Sequence, residues 1–286
     1  MAVPFLLTIN TSTLIPFSLS VPEQIDCAAT AGFGGIELWV RDIISYVDAG
    51  GQPEDLKRQA DDAGVKVVNG IAFFKWSDKD PAVRAAGIEQ ARREIDLLAR
   101  VGCTAVAAPP TGTVAGVSVG QIGLNFKELL TLGRGMGVEP ILEFWGRSPV
   151  LHSIQEAREV LGVSDSTAKM LLDLFHMYTG GSRVDDLPDL ARPEGGSQVG
   201  LVHINDYPLT PARETITDAD RVMPGDGEGP VGPFLRALSH LGFAGPLSVE
   251  LFRPSYDAGT AEGVAREALQ KTIAAWDAAE ATGGEA

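Results

Sequence analysis

Four apolar runs, each closing on a residue type that can hold a metal ion, constrain this chain more than any other feature. Val138-Glu-Pro-Ile-Leu-Glu-Phe-Trp145 carries Glu143 near its end, and Lys169-Met-Leu-Leu-Asp-Leu-Phe-His176 carries Asp173 thirty residues later. Thirty residues further, Val199-Gly-Leu-Val-His203 ends in His203, and a fourth run, Pro246-Leu-Ser-Val-Glu-Leu-Phe252, carries Glu250. About 30 residues is what one strand-plus-helix unit occupies. Strands this apolar are buried on both faces, so a carboxylate at the end of one needs a partner that offsets its desolvation. A cation is the expected partner.

The remainder of the chain repeats the unit. Strands are expected at Leu6–Asn10, Gly35–Trp39, from Val65 towards Phe73, and at Cys103–Ala108. Helices are expected at Pro22–Gly32 and Pro53–Ala63, where proline starts and glycine stops each one, and from Asp80-Pro81 through Val101. In that third helix Ile88, Ala91, Ile95 and Leu98 fall on one face and Glu89, Arg92, Arg93 and Asp96 on the other. Further helices are expected at Val119–Met136, His152–Leu161, Val184–Leu190, Phe234–Leu241 and Thr260–Glu280. His203 and Glu250 are 47 residues apart, and the surplus falls in Asn205–Pro230, a Pro-, Asp- and Gly-rich loop on the side of the candidate ligands. Eight strands alternating with eight helices predict an α/β fold, a single-domain (β/α)8 barrel over residues 1–286.

A barrel brings the C-terminal ends of its strands around one mouth, so Glu143, Asp173, His203 and Glu250 are expected to share one divalent ion. Three carboxylates and an imidazole form an oxygen-rich site that suits Mn²⁺ first, then Mg²⁺, with Co²⁺ and Zn²⁺ compatible. Barrel mouths also collect acids that merely pair with Lys or Arg, but near the ends of strands five and six the only cation is Arg147. Without a cation the three carboxylates would repel one another. His176 is three residues past Asp173, so strand alternation would turn it away unless the backbone bends there. It is expected as a substrate contact beyond the strand end, with Gly180-Gly181 supplying the break.

Bulk properties narrow the partners. A net charge of −15 opposes binding to nucleic acid and anionic membranes. Phe5–Val21 is uncharged, but it has no basic start and is interrupted by Asn10, Thr11, Ser12 and Thr13, so it reads as a strand and its loop and not as a leader. The two cysteines, Cys27 and Cys103, sit in apolar surroundings and are read as buried thiols in a reducing, cytoplasmic setting. Exposed loop aromatics would suit a homodimer.

With these residues in view, the chain resembles the xylose-isomerase-like TIM barrels of sugar isomerases and epimerases over its whole length. Thr217-Asp-Ala-Asp-Arg-Val-Met-Pro-Gly225 and Ser248-Val-Glu-Leu-Phe-Arg-Pro254 are similar to inosose (2-keto-myo-inositol) isomerases, as are Leu142-Glu-Phe144 with Gly146 and Leu172-Asp-Leu-Phe-His176 with Gly181-Ser182. The resemblance implies one divalent ion on the four residues and catalytic roles for Glu143 and Glu250 beside the carbon that loses its proton. Trp39, Arg147 and Tyr178 stand where inosose isomerases tend to have other polar residues, and Pro149 replaces a glutamate of the sugar 3-epimerases. Apurinic endonucleases share the superfamily but use three zinc ions and extra histidines. Here strands two to four contain no histidine, and Val222 follows Asp220-Arg221 where another would be expected.

The expected activity is isomerisation or epimerisation of a polyhydroxy ketone, a sugar or keto-inositol, by proton transfer through an enediolate. His176, Arg221, Arg147, Trp39 and Trp145 are expected around the substrate, with Phe73 and Phe144 as further apolar walls. A dehydratase or keto-glycoside lyase would share the proton abstraction and expel a β-oxygen instead. A non-catalytic carbohydrate-binding protein is the third alternative.

Overall fold

The structure is a computed structural model and describes residues 2–257 and 259–283. Eight strands, β1 (Leu6–Asn10), β2 (Gly35–Trp39), β3 (Lys66–Ile71), β4 (Ala105–Ala108), β5 (Glu139–Glu143), β6 (Met170–Asp173), β7 (Val199–Ile204) and β8 (Pro246–Val249), are hydrogen-bonded in chain order. All neighbours are parallel and β1 pairs with β8, so the sheet closes into the expected (β/α)8 barrel.

Around it lie α1 (Val21–Ala31), α2 (Val40–Asp48), α3 (Pro53–Ala63), α4 (Pro81–Arg100), α5 (Val119–Gly135), α6 (Ile154–Ser164), α7 (Leu174–Gly180), α8 (Val231–His240) and α9 (Ala261–Gly283). The caps follow local chemistry. α1 and α3 both begin with proline in the first turn and end on glycines with positive φ, Gly32 at 99° and Gly64 at 71°. Asp80 caps α4 by accepting from the Ala82 amide at 2.8 Å.

Two helices were not expected. α2 follows Trp39 without an intervening loop, so no turn residue announces it, and α7 begins immediately after Asp173. Conversely, Val184–Leu190, expected as a helix, is a 3₁₀ segment containing Pro188, and Thr11–Phe17 forms another 3₁₀ turn. Strand β8 stops at Val249, which leaves Glu250 one residue beyond the ladder.

The apolar interior is divided by the sheet. The larger part lies between strands and helices, while Val68, Ala105, Ala107, Ile141, Leu171 and Leu201 fill the barrel lumen. Strand alternation then sets what lies above this plug: Glu143, Asp173 and His203 each follow a lumen residue by two positions, after Ile141, Leu171 and Leu201. The same side chains that seal the lumen therefore aim the candidate ligands at its C-terminal mouth. Among the described residues no helix is long and apolar enough to cross a membrane. Cys27 and Cys103 are buried and unpaired, and burial pushes their thiols up to about 11 and about 12, which leaves them unreactive.

Candidate active site and metal centre

Asp173 makes the site's sharpest turn. Its Oδ1 accepts from the amides of Phe175 (2.8 Å) and His176 (3.1 Å) and from Asn205 Nδ2 (3.2 Å), capping α7, while Oδ2 stays directed into the mouth. His176 thus stands in the first turn of a helix. The bend that frees it from strand alternation is made by Asp173 itself, and Gly180-Gly181 is the far end of α7.

Ligand atoms of Asp173, His203 and Glu250 all lie within 4.8 Å of one another. His203 Nδ1 is 3.1 Å from Glu250 Oε2 and 3.6 Å from Asp173 Oδ2, yet it is misdirected for either and makes no hydrogen bond. Its Nε2 lies 3.2 Å from Glu37 Oε2, a fully buried carboxylate on β2 that also accepts from Asn69 Nδ2 at 2.6 Å. Glu37 therefore accepts the Nε2 proton and orients the ring so that Nδ1 is the nitrogen turned towards Asp173 and Glu250, where a bound cation would replace its proton. Asn10 Nδ2 fixes Glu250 by donating to Oε1 at 2.9 Å.

Glu143, the fourth expected ligand, is outside this 4.8 Å group but lines the same cavity. Burial, reinforced by the charges of Glu250 and Asp173, pushes its carboxyl up to about 8. Burial also raises Glu250, against the pull of His203 and Arg221. Asp173 is held well below the usual carboxylate range despite its burial, because Arg221, His176 and His203 surround it. Burial opposes charge on His203 too, but Glu250 and Glu37 hold it well above the ordinary imidazole value. His176 is pushed down to about 4, first by burial and then by Arg221, so it is a neutral imidazole near pH 7.

Arg221 is fully buried, and its Nη1 donates at 2.7 Å to both Asp173 Oδ2 and Glu250 Oε2. Its other donors reach Asp218 Oδ1, from Nη2 at 2.6 Å and Nε at 3.1 Å, and Nη2 lies 3.4 Å from His176 Nε2. The carboxylate it pairs with in its own loop is Asp218 and not the adjacent Asp220. Arg221 and His203 supply two positive charges against the four carboxyl groups of Glu37, Glu143, Asp173 and Glu250, and Glu143 keeps its proton for want of a further cation. That concentration of buried carboxyl groups, with His203 Nδ1 left without a hydrogen-bond partner, gives a donor set that fits a divalent ion.

The expected substrate contacts divide. Arg147 lines the cavity, but its guanidinium donates to the carbonyls of Arg213 (3.0 Å), Glu214 (3.1 Å) and Ile216, so it clamps the loop after β7. Trp39 and Trp145 line the cavity with Phe73, whereas Phe144 is buried in the core and is no wall. Trp39 is held by its Nε1 donating to Ser12 Oγ at 3.0 Å. Sequence reasoning missed Glu37, Asn69, Asn10 and Asn205. The pairing of Asn10 with Glu37 and of Glu37 with Asn69 across β1–β3 is the signal, a polar row on strands otherwise apolar.

Residues 25–275 match the family described as xylose isomerase-like TIM barrel. The chain belongs to this family. Inosose isomerase of Bacillus subtilis is 28% identical over 212 residues, which covers 72% of this chain and 74% of that protein. 3-Dehydroshikimate dehydratase of Pseudomonas aeruginosa is 26% identical over 273 residues, 91% of this chain, and this chain spans 40% of that longer protein. The crystal structure of the IOLI protein with a zinc atom has a TM-score of 0.80 at 24% identity, covering 96% of this chain and 97% of that one, a likeness of fold. The expectation of an isomerase or epimerase agrees with the inosose isomerase relative, and the dehydratase alternative with the 3-dehydroshikimate dehydratase relative.

Proposed function

We propose that the protein is a divalent-metal-dependent isomerase or epimerase of a polyhydroxy ketone, a keto-inositol or ketose. The reading rests above all on the grouping of Asp173, His203 and Glu250 within 4.8 Å at the mouth of the barrel, with Glu143 on the same cavity. Asp173, His203, Glu250 and Glu143 would hold the ion, with Mn²⁺ the first choice for so oxygen-rich a set and Mg²⁺, Co²⁺ and Zn²⁺ compatible. When bound, a divalent ion polarises the carbonyl and acidifies the neighbouring C–H.

The chain's own groups handle the proton. One of Glu143 and Glu250 removes it from the carbon beside the carbonyl, and the other returns it to the adjacent carbon or the opposite face. Without an ion Glu143 keeps its proton to about 8, so beside a bound cation it would release that proton and become the carboxylate that a general base requires. Arg221 presents a fixed positive charge to the oxygen that becomes negative, and neutral His176 beside it offers a hydrogen bond. Asn10 and Asp218 fix the two participants Glu250 and Arg221.

The similarity to inosose isomerase supports the isomerase reading, and that to 3-dehydroshikimate dehydratase supports a second one, in which loss of a β-hydroxyl follows the same proton abstraction. Incubation of inososes, ketohexoses and 3-dehydroshikimate in D₂O, with metal and with chelator, separates them. Deuterium appearing in a recovered or isomerised ketone supports the first reading, and an ultraviolet-absorbing unsaturated product supports the second. Turnover without solvent exchange would sink both.

A further inference from the structure

The cavity over this site measures about 830 Å³. That is room for roughly 28 waters at about 30 Å³ each, and near the upper end of the range of about 300–1,000 Å³ that encloses drug-sized ligands. A six-membered polyol ketone occupies only a minor part of it. Glu143, His203, Glu250, Arg221 and His176 form the floor of the cavity. From that floor an aromatic ledge leads outward: the Trp145 ring lies 6.5 Å from His176, Phe73 is 6.0 Å from Trp145, and Trp39 is 5.4 Å from Phe73. Phe73 is 44% exposed, a large apolar ring left open to the cavity mouth.

The three rings of the ledge carry no charged group to hold an anionic occupant. Among the described residues that line the cavity there is no lysine, and both of its arginines are engaged: Arg147 on three loop carbonyls, Arg221 on Asp173, Glu250 and Asp218. A phosphate or carboxylate on the substrate would find no free guanidinium or ammonium there. A flat uncharged ring meets the ledge well, because it can stack on one of these rings while meeting the edges of its neighbours, tilted by 51° and 54°, and displace weakly held water.

We propose that Trp39, Phe73 and Trp145 form a subsite for an aromatic, uncharged substituent, so that the substrate is a polyhydroxy ketone bearing an aryl group. This deepens the function proposed above and rests on it for the placement of the ketone end at the polar floor. The sugar end sits over Glu143 and Glu250, and the aryl end extends along the ledge, where Arg41, outside the cavity lining, covers one face of the Trp39 ring with its guanidinium at 3.8 Å.

Calorimetric titration of the Mn²⁺-loaded protein with methyl and phenyl 3-keto-β-D-glucopyranoside tests this directly. The phenyl compound is expected to bind at least tenfold more tightly, and Phe73→Ala is expected to bring the ratio of the two affinities close to one. Phe73 is at the rim, so the variant should fold, and its thermal unfolding is measured alongside. Equal affinities within twofold, binding by neither compound, or an undiminished ratio in Phe73→Ala would each overturn the subsite. Solvent-deuterium exchange into an unsubstituted inosose does not involve the ledge, so it reports separately on the function proposed above.

Discussion

Glu37 and Glu143 are buried glutamates at the same end of the lumen, and their neighbours drive them in opposite directions. Glu143 meets other carboxylates and is raised to about 8; Glu37, despite its burial, is lowered because His203 and Asn69 donate to it. The consequence for stability has a definite sign. In the unfolded chain Glu143 releases its proton near 4.5, but the folded protein keeps it to about 8, so between these values the folded state binds more protons. The stability this contributes is complete below 4.5 and is lost as pH rises through 8. Metal-stripped protein should therefore lose stability between pH 5 and 8, by up to about 1.4 kcal/mol per pH unit from this one group, and Glu143→Gln should flatten that slope in urea titrations. An unchanged slope would show that Glu143 is not held protonated. For Glu37 the expected effect is on the ion. Glu37→Gln can no longer dictate which His203 nitrogen carries the proton, and Mn²⁺ affinity measured by calorimetry should fall by about 10–100-fold; undiminished affinity would reduce Glu37 to a packing role. Glu143, Asp173, His203 and Glu250 were legible in the sequence because each interrupts an apolar run. Glu37 was not, because Gly35-Ile-Glu-Leu-Trp39 alternates like any half-exposed strand, and only closure of the barrel turns its polar face inward.

At the scale of elements, the position of His176 depends on the close approach of α7 to the loop after β5. A Cβ added at Gly146 would run into Thr179 Oγ1, the His176 carbonyl and the Gly180 amide. Gly146→Ala is thus expected to push α7 outward and lower turnover at least tenfold while the ion still binds; near-normal turnover would show that α7 tolerates displacement. Gly162, inside α6, meets nothing within 4 Å, and Gly162→Ala should raise stability by about 0.5–1 kcal/mol in the same thermal assay. Helices α1, α3 and α4 were legible from proline, glycine and aspartate at their ends. α2 and α7 were hidden because each starts on the residue that ends a strand, Trp39 and Asp173, with no turn chemistry between. The long loop after β7 was legible as a loop. What the sequence did not disclose is that Asp206 knots it, accepting from the amides of Tyr207, Gly225, Gly227 and Gly229 at 2.8–3.1 Å, and so carries Arg221 to the mouth.

For the whole molecule, the closed barrel brings the proposed ligands to one cavity from positions up to 107 residues apart, Glu143 to Glu250, on strands that need only end at one rim. The net charge of −15 and the acid-lined mouth both favour cation entry. Arg221 touches an oxygen of Asp173 and of Glu250, so the proposed ion would have to gain more from Asp173, His203, Glu250 and Glu143 than it loses in crowding that guanidinium. The central claim, that these four residues jointly hold one divalent ion, is tested most directly by titrating Mn²⁺ into chelator-treated protein and into Asp173→Asn while following thermal unfolding and bound metal. The predicted result is one ion per chain in the wild type, with stabilisation of about 2.7 kcal/mol at a free concentration of 100 times Kd, and neither effect in the variant. Equal stabilisation of both proteins, or a wild type that binds no ion, would contradict it.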